Sequence, residues 1–334
     1  MTSLDAAPIS PEELSAFAEG GAEPEKFAPW DAPYLLLALS GDGPAPSPLL
    51  KAWARGATCV IIGLGAETHA FAALCDVVLH DRASADSMLV NISRAPMAAL
   101  VLVQTLRVTE NAPLETALTI ESMAYATLQS GAEHIAWRAA RPPLAAPSPP
   151  LEEGPPLLIG RAGARLGLVL NRPANRNAIS VEMRDALAEA FGLAALDASI
   201  EEIALSGAGR CFSVGGDLAE FGLAPDPATA HAVRSVRSPA RRLLACADRL
   251  HVRVHGACIG AGVELPAFAH RVTAQANAFF QLPEVSMGLI PGAGGCVSLP
   301  RRLGRRRTAY MALSGRRVSA PTALSWGLID AIEP

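Results

Sequence analysis

Residues 255–295 read HGACIGAGVELPAFAHRVTAQANAFFQLPEVSMGLIPGAGG, and the rest of the chain is organised around them. A glycine-rich turn, Gly260-Ala261-Gly262, runs straight into an apolar segment with the pattern of a short helix. Such a junction leaves main-chain N–H groups without helical partners and sets the positive end of a helix dipole beside any bound oxyanion. Glu264 falls in the first turn of that helix, and Glu284 follows in Leu282-Pro-Glu-Val285. Two carboxylates near an anion-binding turn point to acid/base chemistry on a carbonyl compound.

Working outward, a second glycine turn lies upstream in Phe212-Ser-Val-Gly-Gly-Asp217, preceded by Ile203, Ala204 and Leu205 in the manner of a strand end. Its Gly215-Gly216 pair can present another main-chain N–H. Further matching pieces are Asn171-Arg-Pro-Ala-Asn-Arg-Asn-Ala-Ile179, Gly288-Leu-Ile-Pro-Gly-Ala-Gly-Gly295 and Ala323-Leu-Ser-Trp-Gly-Leu-Ile-Asp330. In order and spacing, residues from about 160 to 333 resemble the crotonase (enoyl-CoA hydratase/isomerase) superfamily.

That resemblance implies an α/β fold, a spiral of ββα units. It makes the amides of Gly216 and Ala261 an oxyanion hole for the thioester carbonyl of an acyl-CoA. Glu264 and Glu284 fall where hydratases of the family keep two catalytic glutamates, Glu264 as base toward a water and Glu284 as proton donor to Cα. Gly292 matches the glycine near that water. Ala178 and Leu218 would line the path of the CoA pantetheine. Asp217 borders the substrate and is read chiefly as an acid that ties its loop. The activity implied is hydration of a 2-enoyl-CoA, with an isomerase or a thioester hydrolase as the nearest rivals and a non-catalytic acyl-CoA-binding protein as the rival of another class. Neither a metal nor a separate cofactor is expected, since coenzyme A arrives as part of the substrate. Family habit implies a trimer or hexamer.

Composition bounds this reading without deciding it. Half of the 334 residues are hydrophobic and 18% are charged, which suits a folded protein with a large core and not a disordered one. A net charge of −4 gives no reason to expect nucleic acid as a partner. The cysteines (Cys59, Cys75, Cys211, Cys246, Cys258, Cys296) are scattered in apolar surroundings without metal-ligand spacing, as buried free thiols are. The opening MTSLDAAPIS lacks the basic and apolar pattern of a secretion signal, and the apolar run near Met97–Val103 is too short to span a bilayer. A cytoplasmic location away from membranes is the expectation.

The N-terminal half reads differently. Residues 1–33 form a lead-in with one helix started by Ser10-Pro-Glu-Glu13. Tyr34–Leu39, Cys59–Ile62 and Asp76–Leu79 read as buried strands, with helical segments near Pro48–Arg55 and Thr68–Leu74, which together predict a small parallel α/β unit. The turn Gly63-Leu-Gly65 lacks the third glycine of a dinucleotide fingerprint and is read as a plain strand-to-helix turn. Residues 83–140 show helical spacing, as in Leu118, Ser122, Tyr125 and Gln129, and packing is the role expected of Tyr125, His134 and Trp137. In texture, residues 76–138 are similar to the helical tail that usually follows the crotonase core. The expectation is a permuted order in which N-terminal helices (within a domain at 34–140) cover the acyl pocket. The proline-rich stretch 141–156 is a linker by composition, and the catalytic core is expected over 157–334. The run Arg301, Arg302 and Arg305–Arg307 is read as a solvated face, with contact to CoA phosphates as the alternative.

Overall fold

The computed structural model describes residues 7–21, 27–41, 44–141 and 154–333. The elements run α1 (Pro11–Glu19), β1 (Tyr34–Leu39), α2 (Pro48–Gly56), β2 (Val60–Gly65), β3 (Val77–Leu79), α3 (Asp86–Arg94), α4 (Pro96–Thr109), α5 (Leu114–Gln129) and α6 (Ala132–Ala139). After the linker come β4 (Leu157–Ala162), β5 (Arg165–Leu170), α7 (Val181–Leu196), β6 (Glu202–Gly207), α8 (Pro227–Arg237), α9 (Pro239–Leu243), β7 (Leu250–Val254), β8 (Ala257–Ile259) and α10 (Ala261–Glu264). The last part holds β9 (Arg271–Gln275), β10 (Phe279–Gln281), α11 (Gly295–Leu303), α12 (Arg305–Ser314), β11 (Val318–Ser319), α13 (Ala320–Trp326) and β12 (Ala331–Glu333).

The small N-terminal sheet pairs β1, β2 and β3 in parallel, and its period-2 alternation explains both of its buried faces. Tyr34, Leu36, Val60 and Ile62 face α3 to α5, while Leu35, Leu37, Cys59 and Ile61 pack with Leu14 of α1 and with Leu50 and Ala54 of α2. Helix α1 starts on a capping box: the Ser10 hydroxyl accepts the Glu13 N–H at 3.2 Å, and Glu13 Oε2 accepts the Ser10 N–H at 2.6 Å. The proline-rich residues 142–153 lie outside the described residues, so most of the expected linker does too.

In the larger sheet the order is β12-β9-β7-β6-β5-β4, parallel throughout except for the antiparallel β4–β5 hairpin. A second sheet, β11-β10-β8, is joined to the 211–217 loop by a bridge between Ser213 and Cys258. Successive turns of strand, strand and helix are wound in this way into the α/β spiral that the motifs imply. Ser180 caps α7 through the Met183 N–H, and Met183, Leu187, Ala190, Phe191 and Ala194 form its buried stripe.

Packing does not divide where the linker falls. One apolar cluster runs from Met88, Leu102 and Leu118 of the N-terminal helices into Leu168, Phe191, Leu289, Val297 and Met311. The N-terminal helices therefore share their core with the C-terminal half, and among the described residues only the outer face of the small sheet has a core of its own. Across that junction lies a buried ion network. Asp76 Oδ1 accepts Arg107 Nε and Arg305 Nη1, each at 2.9 Å, and Oδ2 accepts the Ile61 N–H at 2.9 Å. Arg107 also donates to the carbonyls of Ala57 and Cys59.

Candidate active site

Both glycine turns converge. A side chain added at Gly215 (φ 86°) would lie 2.6 Å from the Ile259 carbonyl and 3.5 Å from the Ala261 nitrogen, so the two backbones touch where only glycine fits. Gly216 and Ala261 both border one cavity of about 500 Å³. Among the described residues, neither N–H donates to a protein acceptor. Two free amides at adjoining turns, one of them opening a helix, are donors that a negatively charged oxygen can accept from.

The same cavity receives Glu264, Glu284, Gly292 and Asp217. Glu264 ends α10 and is 2% exposed, and its Oε2 accepts the N–H groups of Ala293 at 2.7 Å and Gly295 at 2.8 Å. Burial drives its carboxyl up to about 7, against the pull of those two amides. Glu284 sits against the first turn: a Cβ on Gly260 would lie 2.6 Å from its Oε1. Its Oε2 is buried with no partner among the described residues, and burial, reinforced by the Glu264 charge, raises its carboxyl well above the ordinary value. A buried carboxyl oxygen left unbonded inside a protein is costly, and such a group is suited to exchange protons with a substrate.

Asp217 does tie its loop, with Oδ1 accepting the Ala219 N–H and Oδ2 accepting Asn175 Nδ2. Ala178 and Leu218 do not border this cavity. Ala178 is 4% exposed and turned inward beneath the bridge between Ile179 and Gly216, which brings Ile179 to the wall in its place. Leu218 begins a single tight turn whose flanks, Asp217 on one side and Glu220 and Phe221 on the other, reach the cavity. The basic run is also read differently in three dimensions. Arg301, Arg302 and Arg307 donate to main-chain carbonyls, and Arg305 to Asp76, so these guanidinium groups brace helices α11 and α12.

The permuted order set N-terminal helices over the pocket as an expectation, and what the residues alone did not reveal is which side chains line that wall. Helix α5 contributes Leu118, Glu121, Ser122, Tyr125 and Gln129, one stripe at helical spacing. Tyr125, expected only to pack, lies so close that a Cβ on Gly292 would meet its ring at 2.0 Å. The Arg234 guanidinium of α8 stacks over that ring at 3.8 Å and donates to Gln129 Oε1 at 3.2 Å. Helix α6 backs the Glu284 segment through His134 Nδ1 and the Met287 carbonyl at 2.8 Å, and burial lowers the His134 imidazole below its usual range. In the sequence this wall showed only as the tail-like texture of residues 76–138 and the spacing of Leu118, Ser122, Tyr125 and Gln129, and that spacing fits a core helix equally well.

Comparison with known proteins agrees with this geometry. The family model described as enoyl-CoA hydratase/isomerase matches residues 165–334. The 2,3-dehydroadipyl-CoA hydratase of Escherichia coli (strain K12) is 36% identical over 178 residues, which are 53% of this chain and 69% of that enzyme. The 1,2-epoxyphenylacetyl-CoA isomerase of the same organism is 36% identical over 166 residues, 48% of this chain and 63% of its own length. Among solved structures, the enoyl-CoA hydratase of Bacillus anthracis superimposes with a TM-score of 0.50 at 27% identity, covering 54% of this chain and 70% of that one. Helices α3 to α6 lie outside the residues matched by the family model, although α5 walls the cavity. On the adjoining glycine turns, the paired buried glutamates and these matches, the chain belongs to the enoyl-CoA hydratase/isomerase family.

Proposed function

We propose that this protein adds water across the double bond of a 2-enoyl-CoA thioester, giving the 3-hydroxyacyl-CoA. One observation carries the reading: two unpartnered amides and two buried carboxyls border a single cavity. The thioester oxygen would accept from the Gly216 and Ala261 N–H groups, which stabilise the charge that develops there as water adds, each donor contributing roughly 3–4 kcal/mol. Ionised Glu264 takes a proton from water as its oxygen bonds to Cβ. The π electrons move to Cα, which takes its proton from Glu284. The cycle closes when the proton on Glu264 is lost to solvent and Glu284 takes one up again, so the sum is one water added. Ile179, Leu118 and Leu265 offer apolar surface to the acyl chain, and α5 serves as the lid of its pocket.

The relative named as a hydratase supports this reaction, and the relative named as an isomerase marks its closest rival. Product analysis separates them. Crotonyl-CoA should yield 3-hydroxybutyryl-CoA. Conversion of a 3-enoyl-CoA to the 2-enoyl ester without hydration, or release of free CoA, would replace the proposal by isomerisation or hydrolysis.

A pH profile follows from the two carboxyls. The base must be ionised, so kcat/KM should rise with pH through about 7, where burial has moved Glu264. The donor must be protonated, so the rate should fall again once Glu284 ionises at higher pH. Initial rates with crotonyl-CoA between about pH 5 and 9 test this, and a profile that stays flat between about pH 6 and 8 would remove Glu264 from the role of base.

A further inference from the structure

The turn into α11 and the first residues of that helix present four successive amides, and two carboxyl groups share them alternately. Glu264 Oε2 accepts from Ala293 at 2.7 Å and Gly295 at 2.8 Å. Glu121, from α5, accepts from Gly294 at 2.7 Å through Oε1 and from Cys296 at 2.8 Å through Oε2. Glu121 is 2% exposed and borders the cavity, and it lies outside the residues matched by the family model. The start of α11 is gripped elsewhere by the same N-terminal helices, since the Thr109 hydroxyl donates to the Cys296 carbonyl at 3.0 Å and Arg301 donates to the Ala112 carbonyl at 2.6 Å.

We propose that Glu121 is a positioning residue of the active site, which aims the amides of Ala293 and Gly295 at Glu264 by holding those of Gly294 and Cys296. The physical reason is the stiffness of one peptide chain. Left-handed Gly294 (φ 104°) turns the backbone just before α11, so successive N–H groups face two sides, and a carboxyl group with an oxygen for each of two amides fixes that alternation from the far side. Glu264 is then anchored through Oε2, and its other oxygen is the one no amide holds among the described residues. A base anchored through one oxygen keeps the other aimed at the water it must deprotonate, and a misplacement of about 1 Å costs on the order of 100-fold in rate. The inference rests on the proposed role of Glu264 as base, and one arm of its test does not depend on turnover.

Glu121→Gln keeps the size of the side chain but sets an amide donor against one of the two N–H groups. It should lower kcat about 10- to 100-fold while KM stays within about twofold, whereas Met123→Ala, on the exposed side of the same helix, should leave both unchanged. A Glu121→Gln protein with a lowered melting temperature but kcat within about twofold of the parent would make Glu121 a helix cap only and overturn the proposal. The unsubstituted, ¹⁵N-labelled full chain decides the matter should the variant not fold. On titration through about pH 7, where Glu264 ionises, the amide resonances of residues 293–296 should shift together. Movement of Ala293 and Gly295 while Gly294 and Cys296 stay still would also overturn it. A joint shift in a protein that fails to hydrate crotonyl-CoA would leave the clamp standing and remove only the reaction assigned to it.

Discussion

Glu264→Gln and Glu284→Gln should each lower kcat for hydration by roughly 10²- to 10⁴-fold while leaving the affinity for a saturated acyl-CoA within about threefold. Glutamine preserves the shape of each side chain and, at position 264, an oxygen for the Ala293 and Gly295 amides. What disappears is proton transfer. The oxyanion amides are untouched, so ligand binding should survive, and calorimetry with butyryl-CoA measures it. Loss of turnover together with loss of binding would mean that these carboxyls shape the pocket instead of moving protons.

The same substitutions carry a stability signature of opposite sign. Both carboxyls are raised in the folded protein by burial, so their favourable contribution is present below the unfolded value and is lost as pH rises through the folded one. Above about pH 7 the native state holds the Glu264 charge in a dry place, and a neutral glutamine relieves it. Glu264→Gln should therefore gain on the order of 1–3 kcal/mol at about pH 8, with little gain at about pH 5. A less active yet more stable protein is the expected outcome of a site kept under electrostatic strain.

Asp76→Ala should have the largest effect on folding, at about 3–5 kcal/mol. The carboxylate is fully buried and holds Arg107 and Arg305, and Arg107 is itself 8% exposed. Removing the acid strands a buried guanidinium charge whose remaining partners are the carbonyls of Ala57 and Cys59. Because α4 carries Arg107 and α12 carries Arg305, the loss should loosen the small parallel sheet from both helices. Thermal melting followed by circular dichroism reads the change. A shift below about 1 kcal/mol would show that water reaches the network and compensates the charge.

The glycine turns, the placement of Glu264 and Glu284 and the α/β spiral were legible in residues 160–333, because each is written in a short local pattern. Glycines with positive φ, such as Gly215 and Gly260, leave little choice of residue, and a strand's alternation states which face is buried. Ala178 and Ile179 show how far that goes: motifs locate a loop, but packing decides which of two neighbours borders the cavity. The arginines at 301–307 make the same point, since their partners Ala112, Ala269 and Asp76 are distant in sequence.

By itself, then, the order of residues determined the glycine turns, the strand pairs and the helix starts, all products of backbone sterics and local hydrogen bonding. Only the tertiary structure decided which side chains of α5 line the cavity, that Tyr125 presses on Gly292 and that Glu121 shares the amides of residues 293–296 with Glu264. Helical spacing states that a face is buried but not against what, because hydrophobic burial has no direction until two surfaces meet.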